Sequence, residues 1–540
     1  MKPARQLYLL GLFVLVGLVA FSSILNSYFL SDDFVLIGNI LGGHVSPNLA
    51  ISQGGFFRPI LILSYIIEVR VWGTRPLGFH LANVTLHSLN AFLTYILSFR
   101  LVQNLSLSER RKLLISLGAG FLFLLHPSHT ETVSWISGRV DLIATFFCLA
   151  CLISFAIYEK TRRTLHLALS FLAFALALLS KESAICLPFL LLIIGLALGE
   201  ERRDKESIKR LLKVLALFML ILLVFVAVRS AFIGALVGGY GAAEHLNFSP
   251  GWLRVRLLQA SLRSILPALP SQWSLFLFKP LQSRTFGIIA LLVSAITAIS
   301  IITRRQMYAR VERHEQNGFL LALLLMFLFS LLPVINLRLS LYDTQGERFV
   351  YLPTIFTCLA LSYLSAILVR NRRVWMVILI CWLGFYTAAL YHTNQRWRDA
   401  AQVSRTVLED LSDSATHDRI LIINTPDNLN GVHLYRNGLP EALVYFQHQR
   451  VFKQVETVAY QNFQSVADEV TTIADGNLLT VSSPVNEDTF WRVAPTECAQ
   501  IIRQTPNSLH LKREPCAANA DVFAFSKGRM SRLEPASYQK

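Results

Sequence analysis

The sequence predicts an all-α polytopic membrane protein with a small α/β domain at its C-terminus. Of its 540 residues, 54% are hydrophobic and 16% are charged, whereas about a quarter of the residues are charged in soluble domains. Apolar runs recur along most of the chain. Each run is expected to be a helix, because only a helix satisfies its own backbone hydrogen bonds where water is absent. After about residue 405 the composition becomes polar and mixed, which predicts a separate external domain.

The membrane part contains about eleven apolar runs, most of them about 17 to 25 residues long, the length that spans the hydrocarbon core as a helix. The third, fifth and sixth runs are short. The predicted spans lie near residues 6–27, 79–99, 113–126, 140–158, 165–180, 184–199, 211–233, 284–303, 317–335, 350–369 and 373–392.

The basic residues predict the orientation of the chain. The formal net charge is +16, but Lys and Arg are not gathered on one domain, so no nucleic-acid partner is expected. They alternate between loops, and the positive-inside rule places the basic loops in the cytoplasm. The N-terminus is then inside and, after an odd number of spans, the C-terminus is outside. The first run lacks a small-residue cleavage site and is expected to be retained. The basic segments are 2–5, 108–112, 159–163, 199–210, 303–315 and 370–373.

The region after the last span carries strand and turn patterns. The stretches RILIINTP and DVFAF predict strands, LPEALVYF predicts a short helix and DGN predicts a turn, so a small external α/β domain is expected. Cys498 and Cys516 lie in this region, and an oxidising compartment would allow a disulfide between them. The other five cysteines fall in predicted spans and are interpreted as small core residues.

Ionisable residues at the ends of the predicted spans fall on the outer side. Such groups are costly near hydrocarbon, so they usually line a cavity and indicate a functional site. Because these residues are predicted on one side of the membrane only, a catalytic site on that side is favoured over a path that conducts a substrate across the membrane. The residues are Asp32, Asp33, Arg58, His126, His129, Glu131, Arg139, Asp141, Lys181, Glu182, Glu347 and Arg348.

Asp32 and Asp33, in YFLSDDFVLIGN, are the candidate catalytic carboxylates. In an extended segment neighbouring side chains point to opposite sides, so the two acids are expected to have different roles. One would act as general base on an acceptor hydroxyl, while the other holds a metal, a phosphate counter-cation or the loop. Helix capping or solvation of the loop is the structural alternative.

The stretch HPSHTE places His126 and His129 close to a helix start at Pro127. We interpret the imidazoles as phosphate ligands. Metal ligation and helix capping are the alternatives, since the sequence supplies no third metal ligand at a defined spacing.

Two further stretches, SGRVD and SKES, pair opposite charges at the mouths of spans. Arg139 and Lys181 could neutralise a phosphate, Arg by two parallel hydrogen bonds and Lys as a point charge. Equally, Arg139 with Asp141 and Lys181 with Glu182 could be local ion pairs. Glu347 and Arg348, in the stretch GERFVYLP, have the same two interpretations, as ligands of the substrate or as a local ion pair. The candidate residues for binding a donor phosphate or substrate are therefore Arg58, His126, His129, Arg139, Asp141, Lys181, Glu182, Glu347 and Arg348.

An ordered set of motifs resembles a known family. The acidic pair is followed by FRPILILSY, GFHLANVTLHSLNAFLTYIL, HPSHTETVSWISGRVDLIATFF, LLSKES, GERFVYLP and NQRWRDA. Together they resemble the membrane part of the transmembrane O-mannosyltransferases that carry tetratricopeptide repeats, which belong to the GT-C class of glycosyltransferases. The resemblance covers about residues 1–405, leaving 406–540 as an extracytoplasmic domain.

The resemblance implies transfer of a sugar from a polyprenyl- or dolichyl-phosphate donor to an acceptor on the non-cytoplasmic side. It also implies that Asp32 or Asp33 supplies the catalytic carboxylate, and we favour Asp32 as the leading acid. No 34-residue period follows residue 405, so a lipid, a polysaccharide and a protein all stay open as acceptors. The C-terminal domain is expected either to recognise the acceptor or to cap the cavity.

The expected reaction is a single, inverting displacement in which the lipid phosphate leaves without a general acid. Mg²⁺ or Mn²⁺ bridging carboxylate and phosphate would fit, although the sequence does not specify a metal. A transporter or lipid flippase and a non-catalytic envelope assembly protein are the alternatives, but a transporter would need polar groups at the midplane and repeated halves. A bacterial inner or plasma membrane is preferred to the endoplasmic reticulum.

Overall fold

The computed structural model describes residues 3–45, 55–198, 205–235, 239, 247–269, 310–369, 371–446, 452–485 and 489–533. The larger, N-terminal part is helical and the C-terminal part is rich in β-strands, as expected. The helices are α1 Pro3–Ala20, α2 Asp32–Leu41, α3 Pro59–Trp72, α4 Pro76–Leu101, α5 Glu109–Leu124, α6 Thr130–Val133, α7 Arg139–Thr161, α8 Thr164–Leu178, α9 Leu187–Leu198, α10 Lys205–Ile233, α11 Pro250–Arg263, α12 Arg310–Leu331, α13 Thr354–Leu368, α14 Arg372–Ser414 and α15 Leu439–Tyr445.

Three helices of the described part are long and apolar enough to cross a membrane: Ile136–Thr161, Lys205–Ile233 and Arg372–Ser414. They confirm the predicted spans near 140–158, 211–233 and 373–392 as apolar helices of sufficient length. A fourth is reached if Glu109–Leu124 and Pro127–Val133, bent by 51°, form one span. The remaining apolar helices are shorter, so the predicted number of about eleven spans is not established. The predicted span at 284–303 lies outside the described residues.

Helix α4 is 26 residues long but carries polar side chains inside the bundle. The Asn83 amide nitrogen donates to the Trp135 carbonyl at 3.1 Å, and the Asn90 amide nitrogen donates to the Leu142 carbonyl at 2.9 Å. A buried amide needs such partners, because an unsatisfied polar group costs about 1 to 3 kcal/mol. These bonds fix the irregular segment before α7, which supplies part of the candidate site.

Helix α14 joins the two parts of the protein. It is 43 residues long and continues beyond the predicted span to Ser414. Its C-terminal half is amphipathic, with Trp397, Ser404 and Leu408 buried. At its end Asp410 accepts hydrogen bonds from the Arg529 side chain at 2.6 Å and from the Met530 backbone at 2.9 Å. Helix α14 thus leads into the C-terminal domain along the chain and is also hydrogen-bonded to Arg529 and Met530 of that domain.

The C-terminal domain contains two sheets. One is mixed, in the order β10-β9-β1-β3-β6 with β2 paired to β1, and the other is antiparallel, in the order β4-β5-β8-β7. The strands are β1 Arg419–Leu429, β2 Val432–His433, β3 Gln454–Phe463, β4 Thr471–Asp475, β5 Leu478–Ser482, β6 Phe490–Trp491, β7 Ala499–Gln504, β8 Ser508–Arg513, β9 Asp521–Ser526 and β10 Arg529–Arg532.

The local predictions for this domain are confirmed. RILIINTP lies in β1, DVFAF in β9 and LPEALVYF in α15, and DGN forms the turn between β4 and β5. Cys498 and Cys516 form a disulfide. Four of the other five cysteines are buried, whereas Cys381 is exposed.

The domain packs directly on the start of α2. The Ser31 backbone nitrogen donates to the Leu434 carbonyl at 2.7 Å, and the rings of Phe34 and Tyr435 stack with centroids 5.7 Å apart. Gly438 has a φ of +87°, and a Cβ added there would lie 2.6 Å from the Ser31 carbonyl oxygen. Only glycine fits this close approach without strain, so the segment before α15 lies against the acidic pair.

Candidate functional site

The acidic pair begins helix α2 and is not part of an extended segment, which corrects the expectation for its backbone. Successive side chains on a helix differ in direction by about 100°, so the two carboxylates still diverge. Asp33 is 1% exposed and accepts hydrogen bonds from the backbone nitrogens of Leu30 at 3.0 Å and Ser137 at 2.8 Å. Burial raises the pKa of Asp33 to about 7. Asp33 therefore ties Leu30, just before the start of α2, to the segment before α7.

Asp32 lines a cavity between the helical part and the C-terminal domain. Its Oδ1 accepts a hydrogen bond from the Asn437 amide at 2.7 Å, across 405 residues of sequence. A carboxylate has two oxygens with four lone pairs, so Oδ2 keeps the capacity to accept a proton from a ligand. The C-terminal domain thus orients the exposed acid of the pair.

This cavity, the Asp32 cavity, has a volume of 690 Å³, within the range of about 300 to 1,000 Å³ for small-molecule sites. Its wall combines apolar side chains from α2 and α3 with cations from both parts of the protein. The apolar residues include Val35, Leu36, Leu61 and Ile62, and the cations are Arg58, Lys181, Arg348, Arg436 and Arg492.

The cations of the helical part are each held by a carboxylate from another element. The pairs are Arg58 with Glu182 at 2.8 Å, Lys181 with Asp141 at 2.5 Å and Arg348 with Glu131 at 3.3 Å. Lys181 therefore pairs with Asp141 and not with its neighbour Glu182, unlike the local pair weighed from the sequence. Asp141 and Glu182 do not line the cavity but orient side chains that do.

The two predicted histidines are buried outside the lining of the cavity. His126 Nε2 lies 3.0 Å from the Ser264 carbonyl oxygen, and His129 Nε2 lies 2.8 Å from Thr354 Oγ1. His126 also accepts a hydrogen bond from the Ser128 backbone nitrogen, as a cap at the predicted helix start. The geometry corresponds to the capping alternative more closely than to phosphate binding.

Arg139 and Glu347 are also buried away from the cavity. Arg139 pairs with Glu68 at 2.5 Å and donates to the Asn83 side-chain oxygen at 2.7 Å. Glu347 forms an ion pair with Arg263, the last residue of α11. These are ion pairs between distant elements, and Arg139 is not paired with Asp141.

Several lining residues carry no sequence signal. Most of them belong to the C-terminal domain, where single polar residues follow no recognisable spacing. The residues missed from the sequence are His433, Arg436, Asn437, Tyr460 and Arg492, together with Trp135 from the helical part.

His433 is the histidine in this lining. Burial, with the charges of Arg436 and Arg348, lowers the pKa of His433 well below its usual value, so this imidazole is neutral.

Within the described residues, no group of three or more His, Cys, Asp or Glu side chains is arranged to hold a metal ion. Mg²⁺ next to phosphates commonly uses only one or two carboxylates, with phosphate oxygens and water as its other ligands. Asp32 and Glu441 are the carboxylates in the lining that could supply such a ligand.

Parts of the chain are similar in sequence to protein O-mannosyl-transferases, although no protein-family model matches it. The chain is 32% identical over 209 residues to Protein O-mannosyl-transferase Tmtc1 of Drosophila melanogaster, covering 35% of this chain and 23% of the fly protein. It is 26% identical over 396 residues to Protein O-mannosyl-transferase TMTC4 of Homo sapiens, covering 65% of this chain and 53% of the human protein. The chain thus spans from about a quarter to about half of these relatives.

Two solved structures show a weaker likeness. ArnT from Cupriavidus metallidurans, bound to undecaprenyl phosphate, gives a TM-score of 0.43 at 14% identity, covering 93% of this chain and 98% of ArnT. The apo Archaeoglobus fulgidus oligosaccharyltransferase gives 0.40 at 14% identity, covering 78% of this chain and 62% of that enzyme. TM-scores below 0.5 do not establish a common fold. It is the sequence similarity that confirms the expected resemblance to the protein O-mannosyl-transferases.

Proposed function

We propose that the chain is a membrane glycosyltransferase of the GT-C class. It moves a sugar from a polyprenyl- or dolichyl-phosphate donor to an acceptor hydroxyl. The observation that carries the proposal is the Asp32 cavity, which joins the Asp32 carboxylate, several cations and an apolar wall. A lipid-phosphate sugar has matching parts: a reacting anomeric carbon, an anionic phosphate and an apolar chain. The sequence similarity to protein O-mannosyl-transferases supports the same class of reaction.

Arg58, Lys181 and Arg348 bind the donor phosphate in this proposal. Guanidinium groups can bind phosphate oxygens through two parallel hydrogen bonds, and an ammonium acts as a point charge. The carboxylates paired with these cations keep them in place before the donor arrives. Cations placed in advance stabilise the charge that the leaving phosphate gains, which is usually the largest single contribution to catalysis.

Asp32 acts as the general base. The acceptor oxygen forms a bond to the anomeric carbon while the bond from that carbon to the phosphate oxygen breaks. The hydroxyl proton passes to Asp32, and the lipid phosphate leaves with the bonding electron pair. One displacement inverts the anomeric centre, and no general acid is needed because the phosphate leaves as an anion. A positioned base contributes about 10²- to 10⁴-fold to the rate.

The proposal includes an orientation in the membrane. The basic loops lie in the cytoplasm, and the Asp32 cavity and the C-terminal domain lie outside. Residues 1–405, with about eleven spans, form the catalytic part, and residues 406–540 form the extracytoplasmic domain. Val35, Leu36, Leu61 and Ile62 then meet the lipid chain of the donor where it leaves the bilayer. A bacterial inner or plasma membrane is the proposed location.

The test is sugar transfer by purified protein in nanodiscs. Radiolabelled polyprenyl-phosphate sugars serve as donors and a membrane extract supplies the acceptor, with and without EDTA. Asp32→Asn is expected to reduce transfer by about 10² or more. Asp475→Asn is the matched control, because Asp475 is an exposed aspartate at the end of β4, outside the cavity. Loss of transfer with EDTA would assign a role to a divalent metal.

The proposal fails if every donor is inert with the wild-type protein, or if Asp32→Asn transfers sugar at the wild-type rate. In the first case, the same protein is reconstituted into vesicles. Movement of the labelled lipid between the two leaflets of the vesicle membrane then tests the flippase alternative. Retention of configuration in the product would contradict a single displacement.

A further inference from the structure

A second cavity lies beside the first. It has a volume of 620 Å³ and shares three lining residues with the Asp32 cavity: Arg348, His433 and Arg436. We name it the Asn462 cavity. Its other lining residues are Glu131, Leu337, Arg338, Tyr342, Asp343, Gln345, Gly346, Phe349, Asn428, Asn462, Gln464, Thr489 and Trp491.

The C-terminal domain presents the ends of two parallel strands to this cavity. β1 and β3 run parallel, and Asn428 near the end of β1 is in register with Asn462 near the end of β3. Ligands of α/β sheets bind in the crevice outside the carboxyl ends of parallel strands. The position of the Asn462 cavity in the sheet is therefore that of a ligand site.

The polar groups of this crevice are already held in place. The Asn462 amide donates to Thr489 Oγ1 at 3.1 Å, and the Asn428 amide donates to Asp427 Oδ2 at 3.1 Å and to the Asn462 side-chain oxygen. An amide has two donor hydrogens and two acceptor lone pairs. Asn428 uses both donors, whereas Asn462 keeps one donor and one lone pair for a ligand. Amides fixed in this way lose little freedom on binding.

The opposite wall is the segment before α13, and its distance from the sheet is set by a close contact. Gly431 has a φ of +87°, and a Cβ added there would lie 2.6 Å from Asp343 Cβ. Asp343 Oδ1 in turn accepts from the Gln345 backbone at 2.9 Å. Arg348 pairs with Glu131 at 3.3 Å, and Arg436 pairs with Asp427 at 2.6 Å.

We propose that the Asn462 cavity binds the acceptor and that this acceptor is a carbohydrate. The inference rests on the proposed function, because it assigns the acceptor of that reaction. Amides and hydroxyls that both donate and accept hydrogen bonds match the hydroxyls of a glycan, which do the same. The Trp491 indole also lines the cavity, and the Arg436 and Arg492 guanidinium groups lie 5.2 Å and 4.6 Å from its ring centroid.

The other two acceptor classes fit this cavity less well. A lipid chain requires an apolar wall, but only Leu337 and Phe349 are aliphatic or phenyl side chains in its lining. A protein segment that paired with the sheet edge would need an exposed strand, and the edge strand β6 is two residues long. Asn428, Asn462, Gln464 and Thr489 instead form a polar surface suited to a glycan.

The shared wall connects binding to chemistry. The Arg348 guanidinium lies over the Trp135 ring at 4.9 Å, and the Trp135 and His433 rings lie 6.0 Å apart. A glycan held in the Asn462 cavity would pass its terminal hydroxyl along this wall into the Asp32 cavity. The donor and the acceptor then approach Asp32 from different cavities, so both can be bound at once.

The experiment measures equilibrium binding of glycans to the full-length protein in nanodiscs. The probes are mannotriose, chitotriose, maltotriose and the glycans released by mild acid from the membrane extract, with a Ser/Thr-rich hexapeptide for comparison. The variants are Asn462→Ala and Thr489→Val, which removes the hydroxyl that positions the Asn462 amide. Asn477→Ala is the matched control, because Asn477 is exposed in the turn between β4 and β5. Acceptor KM and kcat are measured on the same samples.

We expect at least one glycan probe to bind saturably, and Asn462→Ala and Thr489→Val to weaken binding and raise the acceptor KM about fivefold or more. Asn477→Ala should bind like wild type. The inference is overturned if no glycan binds the wild type, if both variants bind normally, or if the hexapeptide binds and depends on Asn462. Asn462-dependent glycan binding without transfer from any donor would overturn the proposed reaction and leave the glycan site standing.

Discussion

A substitution at Glu347 tests whether this residue binds substrate or stabilises the fold. The sequence suggested a substrate contact, whereas the structure pairs Glu347 with Arg263, their side chains being 0% and 1% exposed. Glu347 also accepts a hydrogen bond from Thr130 Oγ1 at 3.0 Å. The substitution Glu347→Gln keeps the size of the side chain and removes its charge. It leaves the buried Arg263 guanidinium without the carboxylate that pairs with it directly.

The expected cost is about 3 to 5 kcal/mol of unfolding free energy, because breaking a buried ion pair leaves a desolvated charge. The same substitution at Glu206 tests an exposed pair, since Glu206 is 74% exposed and its partner Lys209, 2.7 Å away, is 63% exposed. An exposed pair contributes about 0 to 1 kcal/mol. At about 2 °C of Tm per kcal/mol, Glu347→Gln should lower Tm by about 6 to 10 °C, and Glu206→Gln by about 2 °C at most.

The assay is thermal unfolding of the purified variants in one detergent, with transfer activity measured on the same samples. A double variant, Arg263→Met with Glu347→Gln, removes the stranded charge. It is expected to recover part of the lost Tm, because replacing both members of a buried pair costs less than removing one.

Two results would refute this reasoning. Equal Tm values for Glu347→Gln and Glu206→Gln would show that burial does not set the cost of losing the pair. A Glu347→Gln protein with wild-type Tm and a raised donor KM would return Glu347 to the substrate-binding role that the sequence suggested.

Three further predictions concern the two parts of the protein. Asn437→Ala removes the hydrogen bond to Asp32. It should lower kcat about tenfold, equivalent to about 1.4 kcal/mol, and leave the donor KM unchanged. An equal loss of kcat in Asn477→Ala would contradict a positioning role for Asn437. Burial raises the pKa of Asp33 to about 7, against about 3.9 in the unfolded chain. The folded state therefore binds this proton more tightly, and Tm should fall as pH rises from about 4 to 7. Asp33→Asn should reduce this dependence of Tm on pH. An unchanged dependence in the variant would contradict a role for Asp33. The disulfide closes a loop with a sequence separation of 18, so Cys498→Ser should destabilise the C-terminal domain by about 3 kcal/mol; reducing agent should lower the Tm of wild type but not of the variant.

Local patterns predicted much of the secondary structure. The apolar runs near 140–158, 211–233 and 373–392 are long helices, and the strands at RILIINTP and DVFAF are present. These predictions succeeded because apolar length and residue alternation depend on near neighbours in the chain. Where a run contained buried polar residues, as in α4, the same pattern did not establish a span.

The candidate site was predicted as a set of residues but not as an arrangement. Asp32, Arg58, Lys181 and Arg348 line one cavity, whereas His126, His129, Arg139 and Glu347 are buried outside its lining. All of them are ionisable residues at predicted span ends on the same side, and nothing in their spacing separates the two groups.

The sequence by itself determined the resemblance to the protein O-mannosyl-transferases and the positions of the three long apolar helices, because these follow from ordered motifs, composition and local pattern. Only the tertiary structure decided that Lys181 pairs with Asp141, that Asp33 is buried against the segment before α7 while Asp32 faces a cavity, and that Asn437 contacts Asp32 from 405 residues away. The partner of a charge depends on which helix ends and loops meet. That is set by packing between distant segments, which no local pattern encodes.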